Sequence, residues 1–292
     1  MKLRLTFSHL GRRLTPVRGT AVAIMLGVLS PLPAHADIML YPTRVVIEGA
    51  KRSAQVEIVN RGQEAETYRI NVVNRRMSEL GEIVPAETAQ PGEQFADAML
   101  RHTPRQITLQ PGASQTVRIS LRKPADLAPG EYRSHLQFDR IADSRGAADL
   151  EQAARKTDPK ALSIVLKALI GASIPVIVRH GETSARVTLD ALKLEPEKNG
   201  THRELSFVFR RSGNRSVYGD VVATYVAPGK KPIEIAKVTG IAVYFPNAVR
   251  RARLPLKLPD GTVFKGGELQ LRYNERQEDG GALIAQAAVP LP

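Results

Sequence analysis

Cysteine is absent from the 292 residues. That removes thiol nucleophiles, thiolate metal sites, iron–sulfur clusters and disulfide cross-links, so stability must come from core burial. Tryptophan is absent as well and aromatic residues make up 5% of the chain, which argues against carbohydrate platforms and single-stranded nucleic-acid stacking. No glycine-rich phosphate loop follows a predicted strand, and neither a HExxH helix nor a GxSxG elbow occurs. The basic turn Gly229 to Lys231 lacks the upstream glycine and the hydroxyl residue of a phosphate loop. His102, His135, His180 and His202 stand at no metal-ligand spacing and read as surface or structural residues. Glu64 and Glu66 lie in polar turn regions, where solvation accounts for them. No catalytic constellation, metal site, cofactor or small-molecule substrate is expected, and the chain reads as non-enzymatic.

What is present begins with a leader. Lys2, Arg4, Arg12, Arg13 and Arg18 precede the apolar run TAVAIMLGVLSPL and the small-residue triplet Ala34 to Ala36. This is the pattern of a secretory signal peptide over residues 1–36, cleaved to leave Asp37 at the N-terminus. Removing its five basic residues lowers the net charge from +13 to +8. Lys and Arg are dispersed among acidic residues, so nucleic acid is not an expected partner. No second long apolar segment follows, which fits a soluble exported protein.

From Asp37 on, short alternating segments recur with Gly and Pro turns between them: TRVVIE, AQVEIVN, TYRINVV, QTVRISL and GEYRSHLQF. This spacing predicts an antiparallel β-sandwich over residues 37–180. A second set of strands, from ARVTLDALKLEP to ALIAQAAVPL, predicts another β-rich unit over residues 181–292. Arg179 to Thr183 reads as the hinge between them. Residues 139–160 are charged, Ala-rich and poor in β-formers, and read as a long loop.

Directly after that loop, one alternation runs far longer than a strand needs. Leu162, Ile164, Leu166, Ala168, Ile170, Ala172, Ile174, Val176 and Val178 fill every even position with an apolar residue. Strands seldom exceed about 10 residues. Its second half can pack into this protein's own sandwich, whereas its first half would extend an apolar ridge along a sheet edge. An exposed edge of that kind is an aggregation hazard that monomers normally blunt, and keeping it makes sense if another chain pairs with it.

With that strand in place, the first unit resembles the periplasmic pilus-assembly chaperones of chaperone–usher systems, closest to their archaic branch. The segments that carry the resemblance are YPTRVVIEG (Tyr41 to Gly49), VEIVNRG (Val56 to Gly62), TPRQITLQPGASQTVRI (Thr103 to Ile119), LAPGEYRSHLQF (Leu127 to Phe138) and IPVIVRHG (Ile174 to Gly181). The resemblance implies an all-β fold of two immunoglobulin-like sandwiches set in an L or boomerang shape. It implies partners as well: pilus or fimbrial subunits lacking their final strand, and an outer-membrane usher. On the same basis Leu162, Ile164, Leu166, Ala168 and Ile170 are the donor residues lent to the subunit's open groove. Arg44 matches the first of two basic residues that hold the subunit's C-terminal carboxylate. The place of the second, a Lys, is taken here by Pro175; Arg133 and Lys167 are the candidates to replace it. The competing expectation is an exported structural or adhesive sandwich protein of a surface fibre.

Overall fold

The computed structural model describes residues 38–141, 171–198, 202–258 and 264–291, all within one compact unit, Ala36–Pro292. The leader 1–36, the donor positions Leu162 to Ile170 and Lys167 lie outside the described residues. No helix among the described residues is long and apolar enough to cross a membrane.

Period-two alternation governs nearly every element, because only one face of each sheet can be buried. The first half of the chain forms β1 (Ile38–Tyr41), β2 (Val45–Ile47), β3 (Ser53–Asn60), β4 (Glu66–Val73), β5 (Arg75–Met77), β6 (Ile83–Pro85), β7 (Leu100–Thr103), β8 (Gln106–Leu109), β9 (Ser114–Leu121), β10 (Gly130–Ile141) and β11 (Ala172–His180). One sheet has the order β1-β3-β9-β7, and facing it lies a five-stranded sheet of order β2-β11-β10-β4-β8. Ile47, Val56, Ile58, Ile70, Val117, Leu136, Phe138, Val176 and Val178 fill the space between them. A separate hairpin pairs β5 with β6.

The second half forms β12 (Ala185–Lys198), β13 (His202–Gly213), β14 (Val217–Val226), β15 (Ile233–Val243), β16 (Val249–Leu256), β17 (Glu268–Asn274) and β18 (Leu283–Pro290). Its sheets have the orders β12-β13-β16 and β15-β14-β17-β18. Burial alternates along the whole of β14. Phe209 is the pivot of this core, edge-on to Phe207 at 5.2 Å and to Tyr273 at 5.1 Å between ring centroids; such contacts add specificity to the burial of large rings. The fold is thus all-β, two immunoglobulin-like sandwiches in tandem.

Three expectations need correction. The loop assigned from residue 139 begins later: Asp139, Arg140 and Ile141 continue β10 and pair with Arg69, Tyr68 and Thr67. Glu66 is not a solvated turn residue; it is 6% exposed and ion-paired with Arg140. The predicted hinge from Arg179 also starts late, since Arg179 and His180 belong to β11. The chain turns at Gly181, where φ is +63° and a Cβ would stand 2.8 Å from Pro129, so only glycine fits without displacement.

Candidate functional site

The N-terminal strand changes sheets. β1 pairs antiparallel with β3 in one sheet, and after three intervening residues β2 pairs parallel with β11 in the other. Pro42, which has no N–H to give a ladder, helps end β1 at this step. The crossing places Arg44 at the seam between the sandwiches, beside a cleft of about 980 Å³ whose lining includes Arg179, Arg215, Tyr218 and Arg276.

Arg44 is partly buried and its Cζ lies 4.6 Å from the centre of the Tyr218 ring. Its Nε is sealed from solvent without a hydrogen-bond partner. Burial lowers its pKa, opposed by Tyr244 and reinforced by the nearby charge of Arg179. The planar fork of a guanidinium matches a carboxylate in two parallel bonds, which a Lys ammonium cannot do. Arg44 thus brings a guanidinium to the cleft with its Nε turned away from solvent.

Arg133 comes from β10 and reaches the same neighbourhood by a deeper route. It is 6% exposed, packed with its Cζ 4.1 Å from the Tyr244 ring centre. Nη2 donates to the Arg75 carbonyl at 3.3 Å, while Nε and Nη1 have no partner. Burial is the main cause lowering its pKa, with Arg44 a smaller one. The two predicted cations are thus close enough to feel one another's charge. Only Arg44, however, lines the cleft.

Glu131 is the acid that ties this neighbourhood together, and no motif or alternation in the sequence marks it. At 2% exposure it accepts from Arg179 Nε at 3.1 Å, from the Ser216 N–H at 3.1 Å and from Ser216 Oγ. Arg179 also donates to Glu48 at 3.0 Å. An apolar cluster lies alongside: Met77 and Ile177 from the first sandwich against Ala242 and Tyr244 from the second, with Val46 and Tyr218 packed on it.

The edge beside the cleft is the other half of the site. On β11 the even side chains Ile174, Val176 and Val178 enter the first core, while Ile177 faces the seam. β10 covers β11 on one side from Ala172 to His180. On the other side β2 covers only Val176 to Val178. Ala172 to Pro175 have no ladder partner there among the described residues. Pro175 itself lies opposite His135 and does not line the cleft. Among the described residues no group of His, Asp and Glu gathers as a metal site.

No protein-family model matches the chain, and no curated protein matches it by sequence. Among solved structures it is similar to the YadV chaperone, with 12% identity over 88% of this chain and 100% of that one, at a TM-score of 0.43. It is similar to the CupB2 chaperone of Pseudomonas aeruginosa at 10% identity, over 87% of this chain and 98% of that one, with a TM-score of 0.42. A chain of the CsuC–CsuE complex, between a chaperone and a tip subunit of the archaic chaperone–usher Csu pili of Acinetobacter baumannii, aligns at 11% identity, with 87% and 98% covered and a TM-score of 0.41. The solved structures that this chain resembles thus include chaperones and a chaperone–subunit complex of an archaic chaperone–usher pilus, at low identity.

Proposed function

We propose that the chain is a periplasmic, non-enzymatic chaperone of pilus or fimbrial subunits. It lends the strand segment bearing Leu162, Ile164, Leu166, Ala168 and Ile170 to a subunit that lacks its own final strand, and then delivers the subunit to an outer-membrane usher. The observation that carries the proposal is the continuity of one apolar face across an open edge. Ile174, Val176 and Val178 are anchored in this protein's own core, and the same alternation runs without a polar residue back to Leu162. Where that face leaves the core, the edge of β11 beyond β2 carries no neighbouring strand among the described residues.

Strand addition at such an edge joins main-chain hydrogen bonds to side chains that enter alternate pockets of the guest. Each Leu or Ile fully buried there contributes on the order of 1.5–3 kcal/mol before ordering costs. Three or four of them suffice to hold a subunit without any nucleotide-driven step. Arg44, which lines the cleft, supports the proposal from the other end, because a chain terminus bound there is fixed in register along the lent strand.

Changing Ile164 and Leu166 together to Asp tests the assignment. Co-expressed subunit should be lost from a pull-down with the double variant, while the variant itself stays folded and soluble in the periplasm. A double variant that retains the subunit at wild-type yield rejects the donor segment.

A further inference from the structure

A second groove, of about 940 Å³, lies where β15 and β16 approach each other, and it shares no lining residue with the cleft beside Arg44. Each of these strands ends its own sheet. The Lys257 N–H donates to the Ile235 carbonyl at 2.8 Å at one end of the gap, and Arg250 Nη1 donates to the Ala242 carbonyl at the other. Between those ties, Ala236 to Ile241 have no strand neighbour on their outer side among the described residues. On β16 the Arg251 N–H is taken by the Glu79 carbonyl at 2.6 Å. Arg253, two residues on, turns its N–H the same way and meets no main-chain acceptor among the described residues.

Both walls are bent where they line the groove. In β12 the register shifts between Asp190 and Lys193, and Ala191 there holds φ at +51°, a conformation that a non-glycine residue keeps only when its surroundings impose it. In β15 the register shifts between Val238 and Ile241. Bulges of this kind end regular pairing and re-aim side chains, often beside a functional surface.

We propose that the groove takes up an extended polypeptide segment of alternating acidic and apolar residues, laid along the open edges of β15 and β16. Its cations are Lys193, Arg250, Arg251 and Arg253, against Glu195 as the acid in its lining. Arg250 is held by the Ala242 carbonyl. The other three stand in exposed ion pairs, with Glu195 at 3.6 Å, Glu79 at 3.3 Å and Glu204 at 3.9 Å respectively. Such pairs contribute little, so carboxylates of a guest replace these acids at small cost. Leu80, 66% exposed and reaching in from the β5–β6 turn, supplies apolar contact together with Val208 and Val238. Unpaired main-chain groups along the walls serve a peptide backbone and are of no use to an acyl chain. A second copy in two-fold pairing here would set Lys193, Arg251 and Arg253 against their own equivalents.

Backbone amide shifts in a ¹⁵N-labelled sample of the whole mature chain test this. The probes are a capped hexapeptide alternating aspartate with valine, its counterpart alternating lysine with valine, and dodecanoate. The acidic peptide should shift Val238 to Ile241 and Arg251 to Arg253 along one binding curve that weakens with added salt. The basic peptide should shift none of them. Arg251→Glu with Arg253→Glu should weaken the acidic peptide on the order of tenfold while the rest of the spectrum stays folded. Leu80→Ser should weaken it by a smaller factor. Unchanged affinity in the charge-reversed variant, or equal binding of the basic peptide, would overturn the proposal. Dodecanoate binding as tightly as the acidic peptide would give the groove to an anionic amphiphile instead, and a concentration-dependent dimer that excludes the peptide would give it to a second copy. None of this depends on residues 162–170, so loss of subunit capture in the Ile164 and Leu166 double change leaves it untouched.

Discussion

His135 occupies the interior of β10 at 3% exposure, with Nδ1 lacking any partner. Burial, followed by the charges of Arg133 and Arg75, pushes its pKa down to about 3. The unfolded chain regains an ordinary imidazole near pH 6.5. Between those two values the unfolded state binds more protons than the folded one, so stability falls as the pH drops through the window. Between pH 7 and pH 5 the loss amounts to about 2 kcal/mol from this residue alone. His135→Gln should flatten that part of the profile, whatever it does to stability at pH 7. Urea unfolding of both proteins at pH 7 and pH 5 measures the difference in slope; equal slopes would mean that His135 is not held neutral. Burial comes first at His135, as it does at Arg44 and Arg133, and neighbouring cations add to it in each case.

At the scale of elements, Pro175 is the most informative residue of β11. Lacking an N–H, it fits a ladder only with its nitrogen turned away from the neighbouring strand, which places it at an edge. It sits within the stretch that β2 leaves uncovered, where it blunts edge-to-edge pairing between copies of the chain. Pro175→Thr should restore an outward donor and increase self-association, seen as a concentration-dependent rise in sedimentation coefficient; a monomer at all concentrations would show that the proline has no protective part. Longer strands such as β3, β9 and β14 were legible in sequence, because an alternation held over eight or more residues demands a strand with one buried face. Several shorter ones were not, although TRVVIE, which holds the three residues of β2, was. β5 and β6 have three residues each and β1 and β7 four, too few for a period to register. Met77 in β5 is buried in a cluster with Ile177, Ala242 and Tyr244, all far along the chain. The same limit hid part of the site. Arg44 stood out through the resemblance carried by YPTRVVIEG, but Glu131 acquires meaning only when Ser216, 85 residues away in sequence, meets it.

For the whole molecule, what matters is how firmly the two sandwiches are held together, since the cleft beside Arg44 is lined by residues of both. Among the described residues the seam is crossed by hydrogen bonds at the hairpin and at Glu131, by Arg44 on Tyr218 and Arg133 on Tyr244, and by one apolar cluster. At the β5–β6 hairpin, the Met77 carbonyl accepts from Asn247 Nδ2 at 2.8 Å and the Glu79 carbonyl from the Arg251 N–H at 2.6 Å. The Arg251–Glu79 ion pair beside them is more than half exposed on both partners and contributes little. The Glu131–Ser216–Arg179 node is different, because its carboxylate is 1% exposed and its acceptors are all in use. Removing a buried acid of this kind leaves an N–H and a guanidinium underpaired and costs about 3–5 kcal/mol. The apolar cluster of Met77, Ile177, Ala242 and Tyr244 is small beside either sandwich core, so it cannot supply the whole coupling. Glu131→Ala should therefore split one cooperative unfolding transition into two, one for each sandwich, in scanning calorimetry. Glu131→Gln, which keeps an acceptor for Ser216 but no charge for Arg179, should fall between the two. A single transition at unchanged temperature in Glu131→Ala would assign the coupling to the hairpin, the arginine–tyrosine contacts and the apolar cluster instead.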